Sequence, residues 1–300
     1  MKHRWFFLIL LQSIIYGFGD PISKLMYREI TVSACLALRF TLAAVVLLCF
    51  YHKTLLSDLR KTSILHWLPA ASCMALCYLC SNLALTYTMA AHVAFLRSSS
   101  AVWTPLILLI FFHKHCTRPQ LIALGLMLAG LYLLCGGLSA FGIGELWGFA
   151  SAIFAALSLI LGAQALEDMH PLSLTTLQLL VAAALNWIMT FATENPTVLL
   201  HASASSYLVI LYLAIPCSLI GYALQNQALT LTGADMVSLA QCTYPIMTAL
   251  FSFLILGEAF TAKSLLGALL ILLSILLATR YGQASTPHSS ALKATGAPQS

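Results

Sequence analysis

The sequence predicts an all-α, polytopic membrane protein with ten transmembrane helices in two inverted five-helix repeats. Three observations carry that prediction. Apolar runs of spanning length recur along almost the whole chain, one short text occurs twice, and lysine and arginine fall mostly on one side of the resulting topology.

Of the 300 residues, 61% are hydrophobic and only 8% are charged, against roughly 25% charged in a typical soluble domain. Mean hydropathy is +0.94, which excludes an ordinary soluble protein. About 20 apolar residues span a bilayer core as a helix, and ten such runs occur, at 5–23, 31–51, 64–86, 90–112, 119–136, 144–164, 172–192, 207–227, 234–256 and 263–280. A β-barrel would instead alternate polar and apolar residues in strands of about ten. The opening MKHRWFFLILLQSIIYGFG has the charged start and apolar stretch of a secretory signal but no small-x-small cleavage site, so it reads as a retained first helix. The tail from Gly282 is polar, small and proline-bearing, and reads as disordered.

The second observation is textual. YLCSNLALTYTMA at 78–90 returns as YALQNQALTLTGA at 222–234, with seven of thirteen positions identical. Cutting the chain near Phe141 leaves five runs in each half, and the matches Trp5 with Trp147, Pro105 with Pro245 and Gly125 with Gly267 keep nearly the same offset. Both halves also join their third and fourth runs by short connections, at 87–89 and 228–233. The expected units are thus residues 1–140, residues 141–281 and a cytoplasmic tail, 282–300. An odd number of spans per half inverts the second half, an arrangement through which two halves exchange outward-open and inward-open shapes.

The third observation fixes orientation through the positive-inside rule. With a cytoplasmic N-terminus, nine cations lie inside (Lys2, Arg4, Lys53, Arg60, Lys61, Lys114, Arg118, Arg280, Lys293) against Lys24, Arg28 and Lys263 outside. Both termini are expected in the cytoplasm of a bacterial-type inner membrane. The formal charge of +5 is then topology, and no nucleic-acid partner is expected.

Within the spans the ionisable residues are Asp20, Arg39 and Arg97. A charge at helix centre costs roughly 2.5–3.5 kcal/mol on insertion scales, so it faces a cavity or a partner. Two readings stand for them. Asp20 pairs with Arg97 or Arg39, or an arginine grips a carboxylate or phosphate of a substrate. Arg97 is flanked by Ser98, Ser99, Ser100 and Trp103, which favours the second reading there. By depth, Tyr78 and Asn82 lie toward the outside, Tyr222 and Asn226 toward the inside. They are either opposed gates or, for the asparagines, hydrogen bonds across neighbouring helices. With Gln241 and Tyr244 of the ninth span, these residues form the expected substrate-binding set. Pro105 and Pro245 interrupt their spans and are the expected hinges. Asp235 caps the ninth span, and Gly125 with Ala129 makes a small-xxx-small face for close helix contact.

Other patterns point to no chemistry. Cys77-x-x-Cys80 sits mid-helix without a second pair and reads as apolar filler. His113, His115 and Cys116 lie in a basic turn, so no metal and no cofactor are expected. An intramembrane enzyme would need a nucleophile and base at depth. Ser98–Ser100 and His92 share one run, but no G-x-S-x-G or acidic cluster accompanies them.

The segment YGFGDPISKLMYREITVSACLALRF, with Gly17, Lys24, Arg39 and Phe40, resembles the first two helices of the EamA family in the drug/metabolite transporter superfamily. AAHVAFLRSSSAVWTPLILLIFF and GADMVSLAQCTYPIMTALFSFLILGEAFTAKSLLGALLILLSILL resemble its fourth and its ninth to tenth helices, including Gly257-Glu258. The resemblance covers about residues 5–280. It departs at Asp20-Pro21, and in the first half HKHCTRP stands where the second has Gly-Glu. The resemblance implies ten helices, two inverted halves and a central cavity serving a secondary transporter, an exporter of small polar metabolites such as amino acids. No G-x-x-x-x-G-K-[ST] is present, so the drive is a gradient, with Asp20 and Glu258 as the candidate proton carriers. The expected partners are a small-molecule substrate and the bilayer, the chain acting as a monomer or homodimer.

Overall fold

A computed structural model describes residues 4–112, 118–135, 142–193, 197, 199, 202–232, 234–241 and 243–282. Among them the only regular structure is helical. Ten spans result. The first three are α1 (Arg4–Met26), α2 (Val32–Lys61) and α3 (Ile64–Tyr87); the fourth is α4 (Ala90–Ser98) plus α5 (Ser100–Phe112); the fifth is α6 (Arg118–Leu134). The second half continues with α7 (Ile143–Ala165) and α8 (Pro171–Thr193). Its eighth span runs through α9 (Ala204–Tyr212), a π-helical segment (Leu213–Ile220) and α10 (Gly221–Thr232). The ninth is α11 (Ala234–Ala240) plus α12 (Thr243–Leu256), and the tenth is α13 (Ala262–Gly282). The tail 283–300, the turn holding His113, His115 and Cys116, and the side chains of Pro105 and Asp235 lie outside the described residues.

Helix packing repeats with two-fold symmetry. The second span packs on the seventh, and the fifth on the tenth, each pair being its own counterpart. The third span packs on the sixth and seventh, as the eighth packs on the first and second. The fourth packs on the sixth, as the ninth packs on the first. Since the two halves cross the membrane in opposite senses, this is an inverted repeat. The core lies where they interlock. Phe40, Met74, Tyr78, Leu179 and Tyr222 form one buried cluster from both halves.

The structure changes three sequence expectations. The loop expected at 52–63 is mostly helix, because α2 runs to Lys61, and its amphipathic KTLLSDLRK end packs Leu55 against Trp67 and Met169. Gly125 meets nothing within 4 Å. The stripe of α6 that faces α13 is Ala123, Met127, Leu131 and Leu134, which turns Gly125 outward. Close approach there uses Gly130 against Gly267 instead, whose added Cβ would lie 2.4 Å from the Leu134 amide nitrogen. Finally, the fourth and ninth spans are each broken, at Ser99 and at 241–242, upstream of their prolines. Pro245 therefore lies in the first turn of α12, where a missing N–H is tolerated.

Candidate functional site

Both broken spans meet α1 at mid-membrane, and the sequence of α1 explains why. Gln12, Tyr16, Asp20 and Lys24 recur every four residues, which on a helix places them on one face. That face looks into the junction of the halves. Two glycines admit it: a Cβ on Gly17 would stand 2.5 Å from Met247 Cβ, and one on Gly221 2.4 Å from the Tyr16 ring.

The junction encloses a cavity lined by Gln12, Tyr16, Arg97, Ser98, Tyr222, Gln241 and Tyr244, among others. A smaller void on the other side of Tyr16 and Arg97 adds Asp20, Arg39 and Tyr78. Only about 30 Å³ of the main cavity is open to water, room for about one or two molecules. The halves are closed around it.

Arginine geometry departs from the expected ion pairs. No acidic group lies within 4.0 Å of Arg97 or Arg39, the ion pairs among the described residues being Lys24–Glu258, His66–Asp168 and His92–Glu145. Arg97 is instead surrounded by aromatic faces, 4.9 Å from the Tyr78 ring centre, 5.5 Å from Tyr244 and 5.8 Å from Tyr16. Such cation–π contacts hold a desolvated cation at about 2 kcal/mol each. Arg39 lies over Phe40 and Tyr78 and donates from Nε to Ser218 Oγ at 2.6 Å. Asp20 accepts a hydrogen bond from the Tyr244 hydroxyl. That hydroxyl takes the carboxylate position that an arginine was expected to fill.

The duplicated text resolves differently for its two residue types. Tyr78 and Tyr222 face each other with ring centroids 5.6 Å apart, so they meet at the centre and are not opposed gates. The asparagines are buried anchors. Asn82 accepts from Tyr27 Oη at 2.5 Å and donates to the Tyr78 carbonyl at 2.8 Å. Asn226 donates to Thr175 and Gln178 of α8, both at 2.8 Å. Ser99 and Trp103 also leave the expected set. Ser99 turns back to the Leu96 carbonyl at 2.5 Å, and Trp103 packs its ring edge-on to Phe149 at 5.3 Å. Their neighbours Ser98 and Ser100 line the cavity instead.

Two polar networks close the junction above and below. Toward the face where the chain begins, the near face, three amides interlock. Gln12 donates to Gln225 at 3.0 Å and to the Gly221 carbonyl at 3.1 Å, and Gln241 donates to Gln225 at 2.8 Å and to Gln12 at 3.2 Å. Toward the far face the network is ionic. Lys24 Nζ donates to Glu258 Oε1 at 2.7 Å and to the Thr88 carbonyl at 2.8 Å, while Glu258 also accepts from the Ala90 amide at 3.1 Å and from Ser252 Oγ. Gly257, at φ 67°, makes the left-handed turn that aims Glu258 back toward Lys24. Burial pushes the Glu258 carboxyl up, but the hydrogen bonds from Lys24, Ser252 and Ala90 outweigh it and hold the group below the usual range. Thr88 also donates to Glu145 at 2.5 Å, and the Gly142 amide donates to Glu145 at 3.0 Å.

Sequence reasoning missed Gln12, Tyr16, Gln225 and Glu145. The four-residue spacing on α1 was a signal for the first two. Nothing local marks Glu145, whose partners come from distant connections. The Cys77-x-x-Cys80 thiols are free, although Cys77 lines the cavity. Among the described residues no cluster suits a metal ion.

The comparisons agree with this geometry. A solved structure described only as the crystal structure of a protein superposes with a TM-score of 0.66, at 16% identity, over 93% of this chain and 98% of its own, which speaks for the fold. The uncharacterized transporter YyaM of Bacillus subtilis (strain 168) is 26% identical over 307 residues, covering 97% of this chain and all of that protein. The EamA-like transporter family model matches twice, at residues 3–136 and 142–280. With almost the whole chain matched in two successive copies, this multi-pass membrane protein belongs to the EamA-like transporter family.

Proposed function

We propose that the chain is a secondary transporter exporting small polar metabolites, amino acids or related compounds, by alternating access across a bacterial-type inner membrane. Both termini are cytoplasmic in this reading, so the near face is inside. The observation that carries it is the central polar cavity with a separate closure on each side, since alternating access needs a site that either half can uncover. Residues 1–140 and 141–281 act as the two moving units. Tyr16, Arg97, Tyr222, Gln241 and Tyr244 contact substrate from the cavity wall, with Asp20 and Arg39 behind them. The two breaks, at Ser99 and 241–242, take the hinge role expected of Pro105 and Pro245. Outward movement rests on the family resemblance, and the drive is an ion or substrate gradient. Asp20 is the better placed proton carrier, because Glu258 is committed to Lys24.

Purified protein in vesicles tests this reading. Metabolites that accumulate in cells lacking the protein should exchange across the vesicle membrane at rates above empty vesicles, and reporter fusions after Arg280 should report cytoplasm. Absence of exchange for every such metabolite, or an external reporter signal, overturns it.

A further inference from the structure

We infer that the cavity holds a carboxylate subsite formed by Arg97, the Tyr16 hydroxyl and the Ser98 hydroxyl, and that the substrate is a small monocarboxylate with a hydroxyl or amide tail. The inference rests on the transport reading and names its substrate class.

Three observations converge. First, Arg97 has aromatic rings around it and no acid within 4.0 Å. The rings orient the guanidinium but neutralise nothing. Second, the Tyr16 and Ser98 hydroxyls are buried without any hydrogen-bond partner, on side chains 6% and 5% exposed. Buried hydroxyls are rarely left so, and each orphan costs about 1–3 kcal/mol. Both line the same cavity as Arg97. A carboxylate there accepts from all three donors at once.

Third, the charges do not balance without a ligand. Arg39 and Arg97 contribute two positive charges and Asp20 at most one negative, leaving at least one positive charge in the junction. Glu258 and Glu145 do not supply the balance, being engaged at the far face. One carboxylate closes the deficit when Asp20 is ionised. A cation would deepen it, and a phosphate dianion fits a planar fork beside rings less well than a carboxylate does. Beyond Arg97 the lining turns to Ser13, Ser100, Ser158 and Gln225, which suits a hydrogen-bonding tail and leaves an alkyl chain facing polar groups.

The test is binding to the purified full-length protein in nanodiscs. The probes are 4-hydroxybutyrate and succinamate, each beside its uncharged methyl ester, with glycerol 3-phosphate as the dianion. On the wild type each acid should bind roughly tenfold or more tighter than its ester, since the ester leaves the buried charge unpaired. Arg97→Gln should erase that preference, and Arg97→Lys should restore only part of it, because an ammonium lacks the fork. Tyr16→Phe and Ser98→Ala remove one hydroxyl each with little change of shape. Each should weaken the acids by about three- to tenfold while leaving the esters unchanged. Esters binding as well as acids, glycerol 3-phosphate binding tightest, no acid binding at millimolar concentration, or indifference to both hydroxyl deletions would overturn the subsite. Vesicle exchange separates the two claims. Flux of a neutral or cationic solute without acid binding removes the subsite and keeps the transporter, whereas acid binding with no flux of any solute does the reverse.

Discussion

The two closures of the junction differ in kind. The far face is held by charges: Lys24 and Glu258 meet at 2.7 Å, and Glu145 receives Thr88 and the Gly142 amide. The near face is held by the neutral amides of Gln12, Gln225 and Gln241. An inverted repeat would make its two gates alike if sequence followed backbone symmetry. Here the backbone is symmetric and the gate chemistry is not, so the two faces have different energies, pH responses and salt responses. One duplicated architecture thus acquires a preferred direction from a few side chains.

The largest expected effect comes from breaking the ionic side. Glu258→Gln removes the acceptor charge for Lys24, Ser252 and the Ala90 amide. The loss of about 2 kcal/mol, typical of hydrogen bonds to a charged group, should shift the far-face equilibrium roughly thirtyfold toward open. A single cysteine replacing the buried Ser23, one turn below the closure, measures this by its labelling rate with a membrane-impermeant maleimide. An unchanged rate would show that Lys24–Glu258 is not the far gate.

Gln225→Leu breaks the neutral side. Amide bonds contribute about 1 kcal/mol net, so labelling of a cysteine at Ala155, on the cavity wall, should rise by only about fivefold. A near-face response equal to that of Glu258→Gln would remove the distinction between the two closures.

Acid sharpens the contrast. Because Glu258 is held below the usual carboxylate range, its contribution is fully present above that range and is lost as pH falls through the depressed value. The labelling difference between wild type and Glu258→Gln should therefore stay constant from pH 8 to about 5 and shrink only under stronger acid. The glutamines do not titrate, so the Gln225→Leu difference should stay flat throughout. The smallest effect is that of salt. Lys24 is 29% accessible, so raising ionic strength should modestly speed far-face labelling and leave the near face unmoved.

Much of the architecture was legible, since run length and charge sidedness are set by the bilayer and need no tertiary information. Ten spans, the inversion and the central place of Tyr222 and Tyr244 follow from them. What stayed hidden depends on contacts between distant segments. The repeated tyrosines were assigned to opposite sides by depth along their own spans, yet both spans tilt into the centre and the rings touch. Asp20 was matched to an arginine by charge alone, and the Tyr244 hydroxyl, 224 residues away, is what reaches it. Ser99 and Ser98 are adjacent in sequence, but the helix break between α4 and α5 turns one to its own backbone and the other to the cavity. No periodicity reports such a break.

The π-helical segment Leu213–Ile220 sits in the eighth span, while its counterpart, the third span, is continuous α-helix. A π turn is an α-helix carrying a surplus residue, so the segment acts as a vernier between the repeats. It lets the eighth span hold extra length without a loop and still deliver Tyr222 against Tyr78. Removing one residue there would turn everything beyond it by about 100° about the helix axis. Tyr222 and Gln225 would swing out of the cavity, and Asn226 would lose Thr175 and Gln178. Chain length in these eight residues therefore sets which way the cavity wall faces, and a single-codon deletion there should be felt more keenly than most substitutions.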